Sequence, residues 1–504
     1  MKFKQILKPN NLANLVALIM TYVLFFITFF LSLRYIRLNL VLFLIAFGLI
    51  FIFILLFGII SLEGVIENNK KLRMIGLSVL TILSILLITV SVYVFRINSS
   101  INNIIVLPNQ SSELSIAFVS YDSNEYQDSA DMKEAKIGIL SNSVESDRNS
   151  FVKEEIQSLG LNVSYIEFLS YNDLILSLFE KNIDIAALPN DYYNQFSDYE
   201  GYLEYLDKTK IVYEFKTTIE NSNEQVDLDV TKEPFSILIM GNDGGRTDSL
   251  ILATYNPLKL SVTMTSIPRD SYVPIACYPE QQKDKIGHAF SVSRDCAIQT
   301  VENLFDLDIN YFVEVNFKGV VEIVDALDRI WIDSPVEFVG QNSDEERGHY
   351  TVKIFKGGQW VTGEQALAFA RERYSMPGGD YQRQENQQQV IQAIIDRTLQ
   401  LKDVNKAIDV LNAAGNNVKT NMSLNQMAEI FNVLINAINK TTLEASYMLD
   451  IMGSRVIGYS SYTYNEALQL PLWISKPYEG SIKDLKRLML SNLEISDLPS
   501  TVVT

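Results

Sequence analysis

With two cysteines and two histidines in 504 residues, Cys277, Cys296, His288 and His349 offer little scope for thiol or imidazole chemistry and show no zinc-ligand spacing. So little cysteine excludes a disulfide-rich miniprotein, and 48% hydrophobic content excludes a disordered or collagen-like chain. No Ser-His-Asp or Cys-His nucleophile set is apparent. Acid is scarce at one end: residues 1–96 hold nine basic side chains against only Glu63 and Glu67, a charge of +7. The whole chain being −18, everything after residue 96 carries −25. That acidic body has no basic tract, which argues against nucleic acid as a ligand.

What the head does contain is three uncharged apolar runs, 12–33, 38–62 and 74–95. Each reaches the roughly 20 residues that a helix needs to cross ~30 Å of hydrocarbon, and three in succession exclude a secretory signal. The short flanks hold Lys2, Lys4, Lys8, Lys70, Lys71 and Arg73 on one side, and Arg34, Arg37 and Arg96 on the other. Six against three places the N-terminus in the cytoplasm and residues 97–504 outside the membrane. No charge lies mid-span to mark a transport path, so the head reads as an anchor.

Pro108 and several Ser and Asn residues make 98–112 a linker. From 113 to 232 strand-like and helix-like runs alternate, which predicts a small α/β accessory domain with a partly parallel sheet. It carries no His, no Cys and no glycine-rich phosphate loop, and reads as a spacer or interaction module.

Chemistry concentrates after residue 233. An apolar run at 235–240 leads into Gly241-Asn242-Asp243-Gly244-Gly245-Arg246-Thr247-Asp248 and a second apolar run. A strand, a tight turn and a second strand would bring Asp243, Arg246 and Asp248 to one sheet edge, where the carboxylates suit a hard cation beside a phosphate. A plain Asp-Gly turn remains the alternative. Ser266-Ile267-Pro268-Arg269-Asp270 then ends a strand-like run, so Arg269 and Asp270 emerge where open α/β sheets bind ligands. Thr362 and Gln365 have capping-box spacing ahead of an apolar helical stripe that ends in Arg371-Glu372-Arg373. On a continuous helix Arg371 and Arg373 would lie about 200° apart, so both reach one anion only if the helix unwinds there. After Asp380 a new helix places Arg383 and Gln387 on one face, continued by Val390, Ile391 and Ile394. A polar head beside an apolar groove suits a phosphate on a lipid tail; simple core packing of those aliphatics is the alternative.

These segments, with Lys285-Ile286-Gly287-His288-Ala289, Asn316-Phe317-Lys318-Gly319 and Gln387-Gln388-Gln389-Val390-Ile391, resemble consecutive blocks of the LytR-CpsA-Psr family over about residues 234–400. The three-helix anchor and accessory domain resemble its CpsA-type members, linked to capsular or exopolysaccharide synthesis in Gram-positive bacteria. The resemblance implies a phosphotransferase that moves a capsular, exopolysaccharide or teichoic acid-like glycopolymer from a polyprenyl-pyrophosphate carrier to peptidoglycan. It also implies Mg²⁺, or Mn²⁺, at Asp243 and Asp248, and pyrophosphate contacts from Arg246, Arg269, Arg371, Arg373, Arg383 and Gln387. The lipid would lie in an apolar tunnel at Val390, Ile391 and Ile394.

The expected architecture is α/β: a three-helix transmembrane anchor (1–97), the linker (98–112), the accessory domain (113–232), an α/β/α catalytic domain with a central mixed sheet (233–400), and a motif-free C-terminal extension of helices and strands (401–504). Arg269, with Asp270 or Asp380 as the base, is expected to carry the catalysis. His288 reads as structural, and Cys277 and Cys296 as a disulfide or two buried thiols. Expected partners are the lipid-linked polysaccharide, peptidoglycan, the membrane and proteins of polysaccharide synthesis. A membrane-tethered regulator and a lipid-pyrophosphate hydrolase are the competing functions.

Overall fold

A computed structural model describes residues 12–35, 40–67, 69–104, 111–121, 126–141, 146–190, 192–196, 201–220, 226, 228–243, 246–343, 350–401, 410, 415, 417–439, 449–465 and 470–495. The chain forms two compact units, Met1–Asn103 and Ile104–Thr504.

In the first unit the three apolar runs become helices Leu12–Tyr35, Leu40–Ile66 and Lys70–Ile104, each with a stretch long and apolar enough to cross a membrane. Several of their polar side chains pair between helices. The Thr21 and Ser84 hydroxyls pair at 2.8 Å, Thr28 and Ser91 at 2.7 Å, and Asn14 Nδ2 donates to Ser61 Oγ at 2.9 Å. The two hydroxyl pairs recur seven residues apart on both helices, so they form one seam. In hydrocarbon such bonds contribute about 0.6 to 2 kcal/mol each, which makes them helix-packing groups. The third helix runs through Ile104, so the segment expected as linker from residue 98 begins helical; 105–110 lie outside the described residues.

The second unit opens with a five-stranded sheet, ordered Ser164–Phe168, Lys136–Leu140, Ile185–Pro189, Ser111–Tyr121, Thr209–Glu220. The first three strands run parallel and the last two join antiparallel, as the alternating pattern predicts. Helix Tyr171–Phe179 starts at the cap Ser170, whose Oγ accepts from the Asp173 N–H. This small domain shares a core with the region after residue 233: Leu174, Leu178 and Tyr202 belong to the same buried cluster as Tyr278, Ile286 and Val292.

The central sheet of the region after residue 233 has six strands, ordered Val418–Thr420, Tyr311–Asn316, Phe235–Asp243, Arg246–Asn256, Ser261–Ile267, Asp450–Arg455. Tyr311–Asn316 pairs parallel with Phe235–Asp243, the Phe235–Asn256 hairpin is antiparallel, and Asp450–Arg455 joins parallel, so the sheet is mixed. Alternation along the strands fills both faces. Leu238, Met240, Leu250 and Leu252 pack with Val301, Phe305 and Met489, while Ile251 and Ala253 turn toward Ile391. Helices on both sides make the layers α/β/α.

The boundary expected at residue 400 does not separate a domain. Val418–Thr420 and Asp450–Arg455 form the two edges of the central sheet, and helix Glu479–Asn492 packs on its face. Short edge strands without chemical motifs leave no mark in a sequence beyond local apolarity, which is why 401–504 reads as an appendage. Cys277 and Cys296 are joined by a disulfide.

Candidate active site

Local irregularities in regular elements build the site. In the hairpin Phe235–Asn256, Gly241 faces Ser249 but Asn242 faces Thr247, so Asp248 is the extra residue of a β-bulge. A bulge re-aims side chains that a regular strand would send to opposite faces. Asp248 and its neighbour Ser249 therefore both reach the same cavity. The side chains of Asp243 and Arg246, and the turn at 244–245, lie outside the described residues; their backbones pair at the tip of the hairpin.

Arg269 leaves the end of strand Ser261–Ile267 and hydrogen-bonds Asp248 through Nη1. A second chain segment clamps it: the Ile286 N–H donates to Ser271 O at 2.8 Å and the Gly287 N–H to Arg269 O at 3.0 Å. Glycine keeps this approach uncrowded, because a Cβ would stand 3.0 Å from Thr247 O and 3.3 Å from Arg269 Cβ. Lys285, in the same segment, reaches Asp270 with Nζ at 2.6 Å from Oδ1.

Helix Gly363–Arg371 begins with the expected capping box between Thr362 and Gln365. It stops at Arg371, and Glu372 is already extended. This break resolves the angular conflict between Arg371 and Arg373: the first leaves a helix end, the second a loop, and both line one cavity. The Arg371 guanidinium lies 4.2 Å from the centre of the Phe317 ring, while Arg373 donates to Tyr374 Oη at 2.6 Å. Gly379, at φ 56°, adopts the left-handed turn that starts helix Asp380–Leu399. On that helix Arg383 Nη2 meets Asp380 Oδ1 at 2.5 Å, and Gln387 accepts from Ser249 Oγ at 3.0 Å.

The result is one cavity of about 570 Å³ with two chemically distinct ends. Asp248, Arg269, Arg371, Arg373, Arg383 and Gln387 form the polar end, and Val390, Ile391 and Ile394 line the apolar remainder. Four lining arginines face two lining carboxylates, Asp248 and Glu372, which leaves the polar end positive. Arg383 is 7% exposed. Burial pushes its guanidinium below its ordinary pKa; Asp380 and Asp248 oppose this, and Arg269 and Arg373 add to it. Like charges held together this way favour an anionic guest.

A match to the model of the LytR_cpsA_psr family spans residues 200–471, more than half of the chain, and includes the sheet edges beyond residue 400. The chain belongs to the LytR-CpsA-Psr family. A Bacillus cereus relative named polyisoprenyl-teichoic acid–peptidoglycan teichoic acid transferase TagU is 39% identical over 204 residues, 39% of this chain and 64% of the relative. A relative of the same name from Enterococcus faecalis is 37% identical over 237 residues, 45% of this chain and 74% of its own length. The chain thus spans about two thirds to three quarters of these two relatives. Among solved structures, B. subtilis TagV aligns at 27% identity with a TM-score of 0.45, over 53% of this chain and 99% of that one. A structure described as TagT bound to LIIa-WTA aligns at 26% identity with a TM-score of 0.43, over 54% and 95%.

In this LytR-CpsA-Psr chain the cavity gathers every described residue expected at the pyrophosphate and lipid sites. Asp270 and Asp380 are not among its lining residues; each instead holds a cation, Lys285 and Arg383 respectively. His288 Nδ1 lies 3.1 Å from Asp284 Oδ2, in a structural setting, and His349 lies outside the described residues. Sequence reasoning missed Ser249, which the bulge turns inward, and Gln388. Gln388 Nε2 donates to Met264 O at 3.2 Å and to Ser266 Oγ and Ser454 O at 2.8 Å, tying the helix to two strands. Among the described residues, no group of three His, Cys, Asp or Glu side chains is placed to hold a metal ion.

Proposed function

We propose that this chain is a membrane-anchored phosphotransferase that moves a glycopolymer, with its sugar-proximal phosphate, from a polyprenyl-pyrophosphate carrier to a peptidoglycan hydroxyl, releasing polyprenyl phosphate. One observation carries the reading: an arginine cluster and an apolar wall line a single cavity, which suits a diphosphate on a lipid. The names of the relatives support a teichoic acid-like polymer and a wall acceptor. The charge bias of the helix flanks and the Cys277–Cys296 disulfide support an extracytoplasmic catalytic unit.

The acceptor oxygen attacks the sugar-proximal phosphorus, the bridging P–O bond to the carrier phosphate breaks, and the hydroxyl proton leaves to a base. Charge grows on the equatorial and leaving oxygens, where Arg269, Arg371, Arg373 and Arg383 already converge. Asp270 and Asp380 act as positioning residues that hold Lys285 and Arg383. Asp248 at the cavity wall would hold a Mg²⁺ ion, a cation that takes one or two carboxylates and completes its shell with substrate phosphates, with Asp243 as the second carboxylate proposed from the sequence; such an ion would neutralise phosphate charge.

The test uses the full chain in lipid nanodiscs with a labelled saccharide on polyprenyl pyrophosphate, with and without purified peptidoglycan. Label is expected in the insoluble wall fraction, with a loss of about 10²- to 10³-fold in Arg269→Ala, the usual effect of removing one prearranged donor. Release of label into water at the same rate without peptidoglycan would make the chain a hydrolase. Undiminished transfer by Arg269→Ala would remove the arginine cluster from the mechanism.

A further inference from the structure

A second cavity, of about 220 Å³, lies in the seam between the small α/β domain and the catalytic sheet. Asn172 and Asp173 enter it from the start of helix Tyr171–Phe179, and Tyr272, Tyr278, Asp284 and Lys285 from the catalytic side. We propose that this cavity binds one pyranose ring of a glycan substrate, so that the accessory domain supplies part of the sugar site. The assignment rests on the glycopolymer-transfer reading and gives that domain a role in it.

Size comes first. Sites that enclose drug-sized molecules run to about 300–1,000 Å³, so 220 Å³ suits a single ring rather than a peptide or a lipid. Charge is the second argument. Asp173 and Asp284 share the lining with Lys283 and with Lys285, whose charge Asp270 already takes up, so no strong charge of one sign selects an ion and a neutral polyhydroxyl guest fits. The chemistry of the wall is the third. Carboxylates accept from sugar hydroxyls, an amide both donates and accepts, and tyrosine rings cover the C–H face of a pyranose. Asn172 is oriented for this, because the Tyr202 hydroxyl donates to its Oδ1 at 3.0 Å and so fixes its N–H₂ as the donor end.

Behind the cavity, and sharing Asn172, Tyr278 and Asp284 with it, lies a void of about 10 Å³. Tyr171 and Ser291 line this void, 4% and 6% exposed, and the Oη of one and the Oγ of the other have no hydrogen-bond partner. Buried hydroxyls left open are costly unless something satisfies them, and this void has room for one water, which would complete the wall behind the ring. Position is the last argument. Lys285 lines the cavity and bonds Asp270, the neighbour of Arg269, so the seam lies one ion pair from the diphosphate site.

Two sources could bring such a ring: the sugars of the donor polymer and those of the peptidoglycan acceptor. Isothermal titration of the full chain in nanodiscs with an N-acetylglucosamine–N-acetylmuramic acid disaccharide, and separately with oligosaccharides released by acid from the cells' own wall polymer, distinguishes them. At least one probe is expected to bind, and the one that does names the source. Asn172→Ala and the exposed Asp173→Asn, checked for an unchanged melting temperature, are each expected to weaken that binding tenfold or more. Failure of both probes to bind, or binding that neither substitution alters, overturns the proposal. The arginine-cluster assay does not depend on this result, so the two readings fail separately.

Discussion

Replacing Arg383 by Met removes a buried guanidinium while keeping an unbranched apolar stem of similar reach. The structure sets the sign of two effects. Arg383 is 7% exposed, and its charge is disfavoured by burial and by the nearby Arg269 and Arg373 more than Asp380 and Asp248 favour it. Without substrate, its charge is therefore a net strain on the fold. Breaking a buried ion pair usually costs about 3–5 kcal/mol because one charge is stranded. Here the stranded partner would be Asp380, whose side chain is 30% exposed and whose Oδ2 keeps the bond from Gln384 Nε2 at 2.8 Å, so its charge stays partly solvated although Oδ1 is buried. The expected result is a melting temperature equal to or above that of the native chain, while transfer falls about 10²- to 10³-fold through loss of one phosphate donor. The lipid pyrophosphate should raise the melting temperature of the native chain and do so far less in the variant. Thermal melts in detergent, with and without ligand, and the transfer assay read all three. A variant that melts well below the native chain would show that Arg383 holds the fold together, and one that transfers within tenfold of it would show that Arg383 is no phosphate donor; either result overturns the prediction.

Gly287→Ala places a methyl against Thr247 O and Arg269 Cβ, and overpacking of that kind costs about 1–3 kcal/mol. A lowered melting temperature is expected together with weaker transfer, and a variant indistinguishable from native in both would show that the clamp on Arg269 is slack. Burial raises the Asp284 carboxyl from its ordinary 3.8 to about 7; Lys285 and the Tyr278 hydroxyl pull it down, Asp173 pushes it up, and His288 faces it. The folded state thus holds this proton more tightly than the unfolded chain, so its contribution to stability falls as pH rises from about 4 to about 7 and is flat above. Asp284→Asn removes that slope, and its melting temperature relative to native should climb between pH 5 and pH 8; a difference constant with pH would exclude Asp284 as the source.

The three helices, the mixed sheets and the arginines were legible because each rests on local chemistry: apolar runs, period-two alternation, and charged residues next to glycine or proline. Even the difficulty at Arg371 and Arg373 was informative, since it required a break that Glu372 provides. Three features were hidden. The bulge at Asp248 depends on strand register, which no single strand encodes, and it recruits Ser249 as a second cavity residue. The shared core of the accessory domain and the central sheet gathers residues far apart in the chain, Leu174 and Ile286 among them, into one buried cluster. The edge strands Val418–Thr420 and Asp450–Arg455 carry no chemistry and are recognisable only by their partners.

The strand Ser261–Ile267 has an assembly timetable written into it. Its outer neighbour, Asp450–Arg455, is made about 180 residues later, and Gln388 seals the junction by bonding both. Until that late segment arrives, the strand that delivers Arg269 has an unsatisfied border, the sort of surface that recruits stray strands. A nascent chain still short of residue 450 would therefore carry every arginine that lines the cavity without a finished grip, and a fragment ending near residue 400 would leave that border open for good.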